Sequence, residues 1–388
     1  MKILKVPGCA YKIPEFRNFG YTKGKRDIMN KPVFNEYTLE ELKKIEIEAP
    51  DKEMEKKVQA NWDAIAKPLD GMGRFEKLTA QIGAIMRTDR IDISKKAVLI
   101  MIADNGVVEE GVTQTGQEVT FAVACSMSKK LSSVCKMAIL AGAETIPVDV
   151  GINDERKIDD VIDRKIRRGT RNFAKEPAMT EEEAIRAIAT GIELVGECAA
   201  KGYKLIATGE MGIGNTTTSS AVTASLLRCD SKAVTGRGAG LSDSGLLTKQ
   251  RVIAEAIEKY GLHDADAFTI LRTVGGLDIA GLVGVCIGGA IYHVPIVLDG
   301  VISMASALMA ERLIPGTAAY MIPSHMGKEP AVVMLTEALG VKPVILGELA
   351  LGEGTGAVMM FPLLDMAMSI YSGSPSFSQI SVEQYKRF

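Results

Sequence analysis

Two glutamates set among glycines are the residues in this sequence best placed for acid–base chemistry. In LGELALGEGTGAVMM, positions 346–360, Gly347, Gly352, Gly354 and Gly356 surround Glu353, a carboxylate among apolar neighbours. Glycine takes backbone angles closed to other residues and lets a small molecule approach the main chain, so Glu353 reads as presented to a ligand. The pattern before Gly352 is apolar and strand-like, and after Thr355 it is apolar and helical. That predicts a tight strand-to-helix connection, the edge of an open α/β sheet at which ligands bind. A glycine-rich turn followed by a helix with an acidic first residue would leave the same trace.

The second glutamate is Glu210, in GEMGIGNTTT at positions 209–218, together with Gly212, Asn215 and Thr216. Exposed N–H groups at such a helix start bind phosphate without a positive side chain. The stretch is neither GxGxxG nor a P-loop, because no lysine follows its last glycine. A carboxylate there repels phosphate, so Glu210 is expected to face a cationic or hydroxyl-bearing part of a ligand. GRGAG at 236–240, with Arg237, Gly238 and the later Lys249, is a second phosphate candidate; Arg237 equally suits a surface loop. Asp299 closes the apolar run VPIVLDG, where a free carboxylate is costly unless paired or bonded to ligand hydroxyls. Ser324 and His325 follow another apolar run, and His325 reads as a structural histidine. No nucleophile elbow, triad spacing or metal-ligand cluster is present. The inventory suits a transfer reaction on a phosphorylated substrate in which a carboxylate removes a proton, with no metal or other cofactor.

The elements that position these groups are legible as alternation. AVLIMIADNGV (97–107), TIPVDVG (145–151), KLIATGEMG (204–212), VPIVLDG (294–300), AAYMIPSH (318–325) and KPVILGEL (342–349) are apolar runs separated by helical patterns. They predict a parallel α/β sheet with helices on both faces. Several end in polar residues, Asp104 and Asn105 or Asp149 for instance, as strands that feed a site do. Before them, helical spacing from Leu39 to about Ala66, broken at Pro50, predicts two short helices, and a loop over Lys67–Gly73 opens a third. Up to about Lys31 the chain has eight Lys or Arg against two acidic residues and no helical periodicity, an irregular basic arm.

Composition narrows the classes. With 388 residues and a formal charge of -2, the chain has a large core and no global field directed at nucleic acid or an anionic membrane. Six cysteines are scattered without a CxxC pair and read as buried thiols of a cytoplasmic protein. The start has no apolar run of signal-peptide length, and Ile279–Ile291 is too short to span a membrane and rich in glycine.

With these residues in hand, the sequence resembles the nicotinate-nucleotide:dimethylbenzimidazole phosphoribosyltransferases, which activate the lower ligand of cobamides. The resemblance rests on AKPLDGMGRFEKL, ADNGVVEEGV, GEMGIGNTTT, VGGLDIAG, VPIVLDG, IPSHMGKEP and LGEGTGA in that order, from about Ala66 to the C-terminus. It implies a Rossmann-like α/β domain at 91–360 and a small helical domain assembled from both chain ends, 51–90 and 361–388, behind an arm at 1–50. It implies a dimer, either of one chain or, as in a phenolic-cobamide branch, of two paralogous subunits. The implied reaction moves ribose phosphate from nicotinate mononucleotide to an aromatic base. Glu353 matches the family's general base and Glu210 its second carboxylate. Gly212, Asn215, Thr216, Gly238, Lys249 and Ser324 would lie around the nucleotide, with Asp299 close to it, and Leu351 in the substrate pocket.

The departures are Asn105 where the family has histidine, Gly327 in place of a phosphate-binding serine, Thr115 where relatives have a base-contacting serine, and Val123 where they have glutamine. A more apolar base pocket follows, open to another benzimidazole, a purine or a phenol. Two other classes use the same loops: a nucleotide-binding subunit supporting an active paralogue, and a dinucleotide-dependent oxidoreductase, which would want a GxGxxG that the chain lacks.

Overall fold

The computed structural model describes residues 38–387; most of the basic arm, with Cys9, lies outside them. Two short helices open the described chain, α1 (Leu39–Lys43) and α2 (Lys52–Ala64), separated at Pro50 as the spacing predicts. Each has its own N-terminal stop: Thr38 and Glu41 form a reciprocal capping box on α1, and Asp51 accepts from Glu53 N and Met54 N on α2. Helix α3 (Arg74–Met86) follows the glycine loop. Trp62 is fully buried between α2 and α3, where its indole N–H donates to Thr79 Oγ1 at 2.7 Å.

From there strand and helix alternate. The order is β1 (Lys96–Ala103), α4 (Glu118–Ser128), α5 (Ser133–Leu140), β2 (Ala143–Gly151), β3 (Ile162–Asp163), α6 (Glu181–Ala200), β4 (Leu205–Met211) and α7 (Asn215–Leu227). Then come α8 (Ser231–Val234), α9 (Asp243–Tyr260), α10 (Ala267–Val274), α11 (Leu277–Ile291), β5 (Ile296–Leu298), α12 (Val301–Leu313) and β6 (Met321–Pro323). The last elements are β7 (His325–Gly327), α13 (Ala331–Leu339), β8 (Ile345–Leu349) and α14 (Thr355–Gly373). Six strands form one sheet in the order β3-β2-β1-β4-β5-β6, and every pairing in it is parallel. Strand β1 is buried at every position, as a strand covered on both faces must be. The strand order reverses between β1 and β4, which puts a crevice at their carboxyl ends.

Two details differ from the sequence reading. Strand β4 runs on to Met211, so Glu210 lies within the strand rather than in the loop after it. Strand β8 does not join the main sheet; it pairs with β7 in a separate two-stranded parallel sheet. Its middle residues are exposed and Glu348 has φ 52°, a conformation that a strand buried on both faces could not hold. Among the cysteines, Cys125 and Cys229 are half-buried, whereas Cys135, Cys198 and Cys286 are buried. No helix of the described residues is long and apolar enough to cross a membrane.

One face of the sheet is covered by α6 and α11, which cross backbone on backbone. A methyl group on Gly191 would lie 2.1 Å from Gly281 O, and one on Gly284 would lie 1.9 Å from Ile188 O. Glycine in a helix interior ordinarily costs about 1 kcal/mol relative to alanine, so G284A would help an isolated helix. Here the clash is with main chain that cannot move aside, and overpacking of that kind costs about 1–3 kcal/mol. We expect G284A to lower the urea midpoint of unfolding by that difference. G373A, with nothing within 4 Å of the new methyl, should stay within about 0.5 kcal/mol of the parent. Equal midpoints for the two variants would refute this account of the crossing.

Candidate active site

The carboxyl edge of the sheet opens into a cavity of about 290 Å³, bounded by the ends of β4 and β5, the starts of α7 and α12, strand β7 and the loop carrying Glu353. That loop has a left-handed backbone at three residues in succession, with φ 83° at Gly352, 62° at Glu353 and 97° at Gly354. Glycine tolerates this and glutamate resists it, so something must hold Glu353 there. Asp299, directly after β5, does so: its Oδ1 accepts from Gly356 N at 2.8 Å and Ala357 N at 3.1 Å, and its Oδ2 from Gly354 N at 3.2 Å. Helix α14 has no side-chain cap of its own, and the Asp299 carboxylate fills that role from another strand. Asp299 is in the cavity wall and is paired as a cap, one of the two arrangements that the sequence left open for a carboxylate there.

Glu353 reaches the first turn of α5, which also lacks a side-chain cap, and its Oε2 accepts from Val134 N at 3.2 Å. Burial raises its pKa above the ordinary carboxylate value, the Val134 hydrogen bond opposes the rise, and nearby Asp299 adds to it. The loop lies against β4 with almost no intervening side chain. A methyl on Gly209 would be 2.5 Å from Glu353 O, and one on Gly352 would be 2.9 Å from Glu210 Oε1. The two glutamates therefore share one wall.

Glu210 is buried, and the Asn215 amide donates both to Glu210 Oε2 and, at 3.1 Å, to Asp278 Oδ2. Burial first, then the neighbouring charges of Asp278 and Asp299, push the Glu210 carboxyl up to about 8. Burial likewise takes Asp278 to about 7 and Asp104 to about 6. Of these three acids only Glu210 lines the cavity, and it is the one held mainly in its protonated form at neutral pH. Asn105 is fully buried, its Oδ1 without a partner among the described residues.

The same cavity also has features suited to an anion. Helices α7 and α12 start after Gly214 and Gly300 with no side-chain cap, so their N-terminal dipoles are unopposed. Thr216, Gly238, Val301, Ile302 and Ser303 line the cavity there, and Ser303 Oγ is buried without a partner among the described residues.

Of the residues singled out in the sequence, Glu353, Glu210, Gly212, Asn215, Thr216, Gly238, Asp299, Val123 and Leu351 come together around this one cavity. Others do not reach its wall. Lys249 is fully buried behind Thr216, donating to Thr216 Oγ1 at 2.9 Å and Gly236 O at 3.3 Å, and burial lowers its pKa to about 8. Ser324 is sealed behind His325, and Thr115 is exposed on the loop before α4. Arg237 is engaged by Asp243 and Leu241 O, a loop strut and not an anion ligand. The sequence reading missed Asp278, Ser303 and the position of His325 in the wall. Only Asp278 left a signal, an acid at the head of the otherwise apolar LDIAGLVGVCIGG.

Comparison with known proteins identifies the family of the chain. A family model described as phosphoribosyltransferase matches residues 47–382. A nicotinate-nucleotide–dimethylbenzimidazole phosphoribosyltransferase of Acetivibrio thermocellus is 42% identical over 85% of this chain and 94% of its own length. That of Ruminiclostridium cellulolyticum is 41% identical over 90% and 98%. Among solved structures, CobT from Thermus thermophilus superposes with a TM-score of 0.82 at 34% identity, covering 86% of this chain and all of that one.

The buried acid yields a stability prediction. Glu210 has a folded pKa of about 8, above the value of about 4.3 expected in the unfolded chain. Its contribution is thus fully present below about 4.3 and is lost as pH rises toward 8. E210Q removes the titration. Between pH 5 and 8.5 the Tm of the ligand-free protein should fall more steeply for the parent than for E210Q. Parallel curves in a fluorescence melt would contradict the burial assigned to this carboxyl.

Proposed function

The chain belongs to the nicotinate-nucleotide–dimethylbenzimidazole phosphoribosyltransferase family, and from that premise we propose that it moves ribose 5-phosphate from nicotinate mononucleotide to an aromatic lower-ligand base. The observation that carries this reading is the placing of Glu353. It lies in the wall of a cavity that also offers two uncapped helix starts and a buried hydroxyl to a phosphate.

The bond between the anomeric carbon and the pyridinium nitrogen breaks, and its electron pair returns to the ring to release nicotinate. The acceptor nitrogen bonds to the same carbon from the other face, giving an α-riboside phosphate, and its proton passes to Glu353. Because the leaving group starts as a cation, base catalysis at the nucleophile is what the protein must add. Glu210, protonated near neutrality, donates a hydrogen bond without repelling the phosphate. Lys249 acts from behind Thr216, orienting that hydroxyl and adding positive charge beneath the phosphate seat.

Val123 and Leu351 form the apolar end at which we place the acceptor ring. With no polar side chain at those two positions, the pocket accommodates dimethylbenzimidazole and also admits an unsubstituted benzimidazole, a purine or a phenol. We further propose that the chain works in the cytoplasm as a dimer, with itself or with a paralogous subunit. Leu140 and Leu346, 86% and 81% exposed, are apolar surface that such a partner would cover. A small helical domain of 51–90 and 361–388 completes this reading, supported by the packing of Tyr371 on Trp62 with ring centroids 5.3 Å apart.

Three outcomes are expected. E353Q, nearly isosteric, should keep its fold and lose about 10²–10⁴-fold in nicotinate release, followed by chromatography. Activity of the parent should fall with acid at a pH above the ordinary glutamate value, as Glu353 takes up its proton. With a panel of dimethylbenzimidazole, benzimidazole, adenine and p-cresol, mass spectrometry should find riboside phosphates of more than one acceptor. Strict use of dimethylbenzimidazole would dismiss the broad pocket, and undiminished turnover by E353Q would dismiss the mechanism.

A further inference from the structure

His325 lies in the cavity wall with its proton placement fixed by its neighbours. Ser324 Oγ is 2.5 Å from Leu298 O, and a carbonyl can only accept, so the hydroxyl proton is committed there. The second contact of that hydroxyl, with His325 Nδ1 at 3.0 Å, must then be one in which Oγ accepts and Nδ1 carries the hydrogen. A neutral imidazole with its proton on Nδ1 has a bare lone pair on Nε2. Burial favours the neutral ring and lowers its pKa.

The ring is also wedged. A methyl on Gly356 would lie 2.0 Å from Nδ1, so the start of α14 presses directly on it. Its Nε2 edge faces the gap between Gly300 and Gly327, either of whose absent methyls would lie 3.7 Å away. Both glycines line the cavity, as His325 does. Nε2 has no hydrogen-bond partner among the described residues, yet it is not among the sealed polar atoms. It is an acceptor open to the cavity.

Resting on the proposed function, we propose that His325 Nε2 accepts a hydrogen bond from a ribose hydroxyl of nicotinate mononucleotide and so fixes the sugar for attack. The nucleotide offers few other donors. At neutral pH its phosphate and carboxylate accept only, and its pyridinium nitrogen carries no hydrogen. The two ribose hydroxyls remain, while the acceptor's proton is the one Glu353 removes.

The experiment uses the full chain with H325Q, H325N and H325F, and nicotinate mononucleotide beside its 2′-deoxy and 3′-deoxy analogues. Glutamine can set its carbonyl oxygen where Nε2 stood, whereas asparagine reaches only as far as Nδ1. One hydrogen bond is worth about tenfold. On the natural nucleotide kcat/KM should fall about tenfold in H325N and H325F and stay within about threefold of the parent in H325Q. On one of the deoxy analogues all four proteins should agree within about threefold, because the partner is already missing. Thermal melts verify that each variant is folded. If the H325N deficit persists undiminished on both deoxy analogues, or H325Q is as impaired as H325F, the inference is wrong while the functional reading stands. A folded parent chain that releases no nicotinate with any acceptor overturns both.

Discussion

The site depends on one carboxylate that never needs to touch substrate. Asp299 gives its two oxygens to three amides at the start of α14, and this is what keeps Glu353 in a backbone conformation it would not choose. Non-glycine residues in that region carry strain of order 1–3 kcal/mol. Hydrogen bonds to an ionised group contribute about 1.5–3 kcal/mol each, so three of them outweigh the strain comfortably. The balance also explains why glycines flank the glutamate on both sides: they let the amides converge on Asp299 and leave the strain on one residue.

Helix starts recur around the cavity, and the way each is satisfied sorts the charges. The start of α14 is taken by Asp299 and that of α5 by Glu353, whereas those of α7 and α12 have no side-chain cap. An incoming anion is directed to the two that are open. The buried acids Glu210 and Asp278 share the Asn215 amide, and Asp278 also accepts from Ile279 N at 3.0 Å, yet burial outweighs these bonds. Their raised pKa values are the result, and a cavity with many acidic residues thereby tolerates a phosphate without many exposed cations. Lys249 serves the same end, because a buried amine behind a threonine shapes the field without occupying space.

The parts of this arrangement legible in the sequence are those encoded by neighbours along the chain. Glycines around Glu353, the glycine loop before Asn215, polar residues closing apolar runs and the break at Pro50 are local signals, and the helix starts at Asn215 and Thr355 and the break at Pro50 lie where those signals put them, although β4 runs on past its expected end. The unreadable parts are relations between distant residues. Nothing near Asp299 announces that its partners are Gly354 and Gly356, nothing near Glu353 points to Val134, and Lys249 does not advertise that Thr216 stands before it. The departure of β8 from the main sheet is of the same kind: KPVILGEL is as apolar as a core strand, and only the surroundings expose its middle. His325 reads as structural in the sequence because the use proposed for it follows from a proton count involving Ser324 and Leu298, which no single position carries.

The surroundings of Glu210 are set from farther away still, by the glycine contact of α6 with α11. Close approach of those helices seats α11 on the sheet, where Gly281 is tight against Met101 of β1. The first turn of α11 carries Asp278, so the depth at which α11 sits decides whether that carboxyl reaches the Asn215 amide it shares with Glu210. A bulkier crossing would lift α11, leave Asn215 to Glu210 alone and weaken the repulsion that helps keep Glu210 protonated. Packing on the far side of the sheet and the protonation of a side chain in the cavity are thus one problem. The small residues in LDIAGLVGVCIGG, which look at first like a membrane span too short to serve, are what solves it.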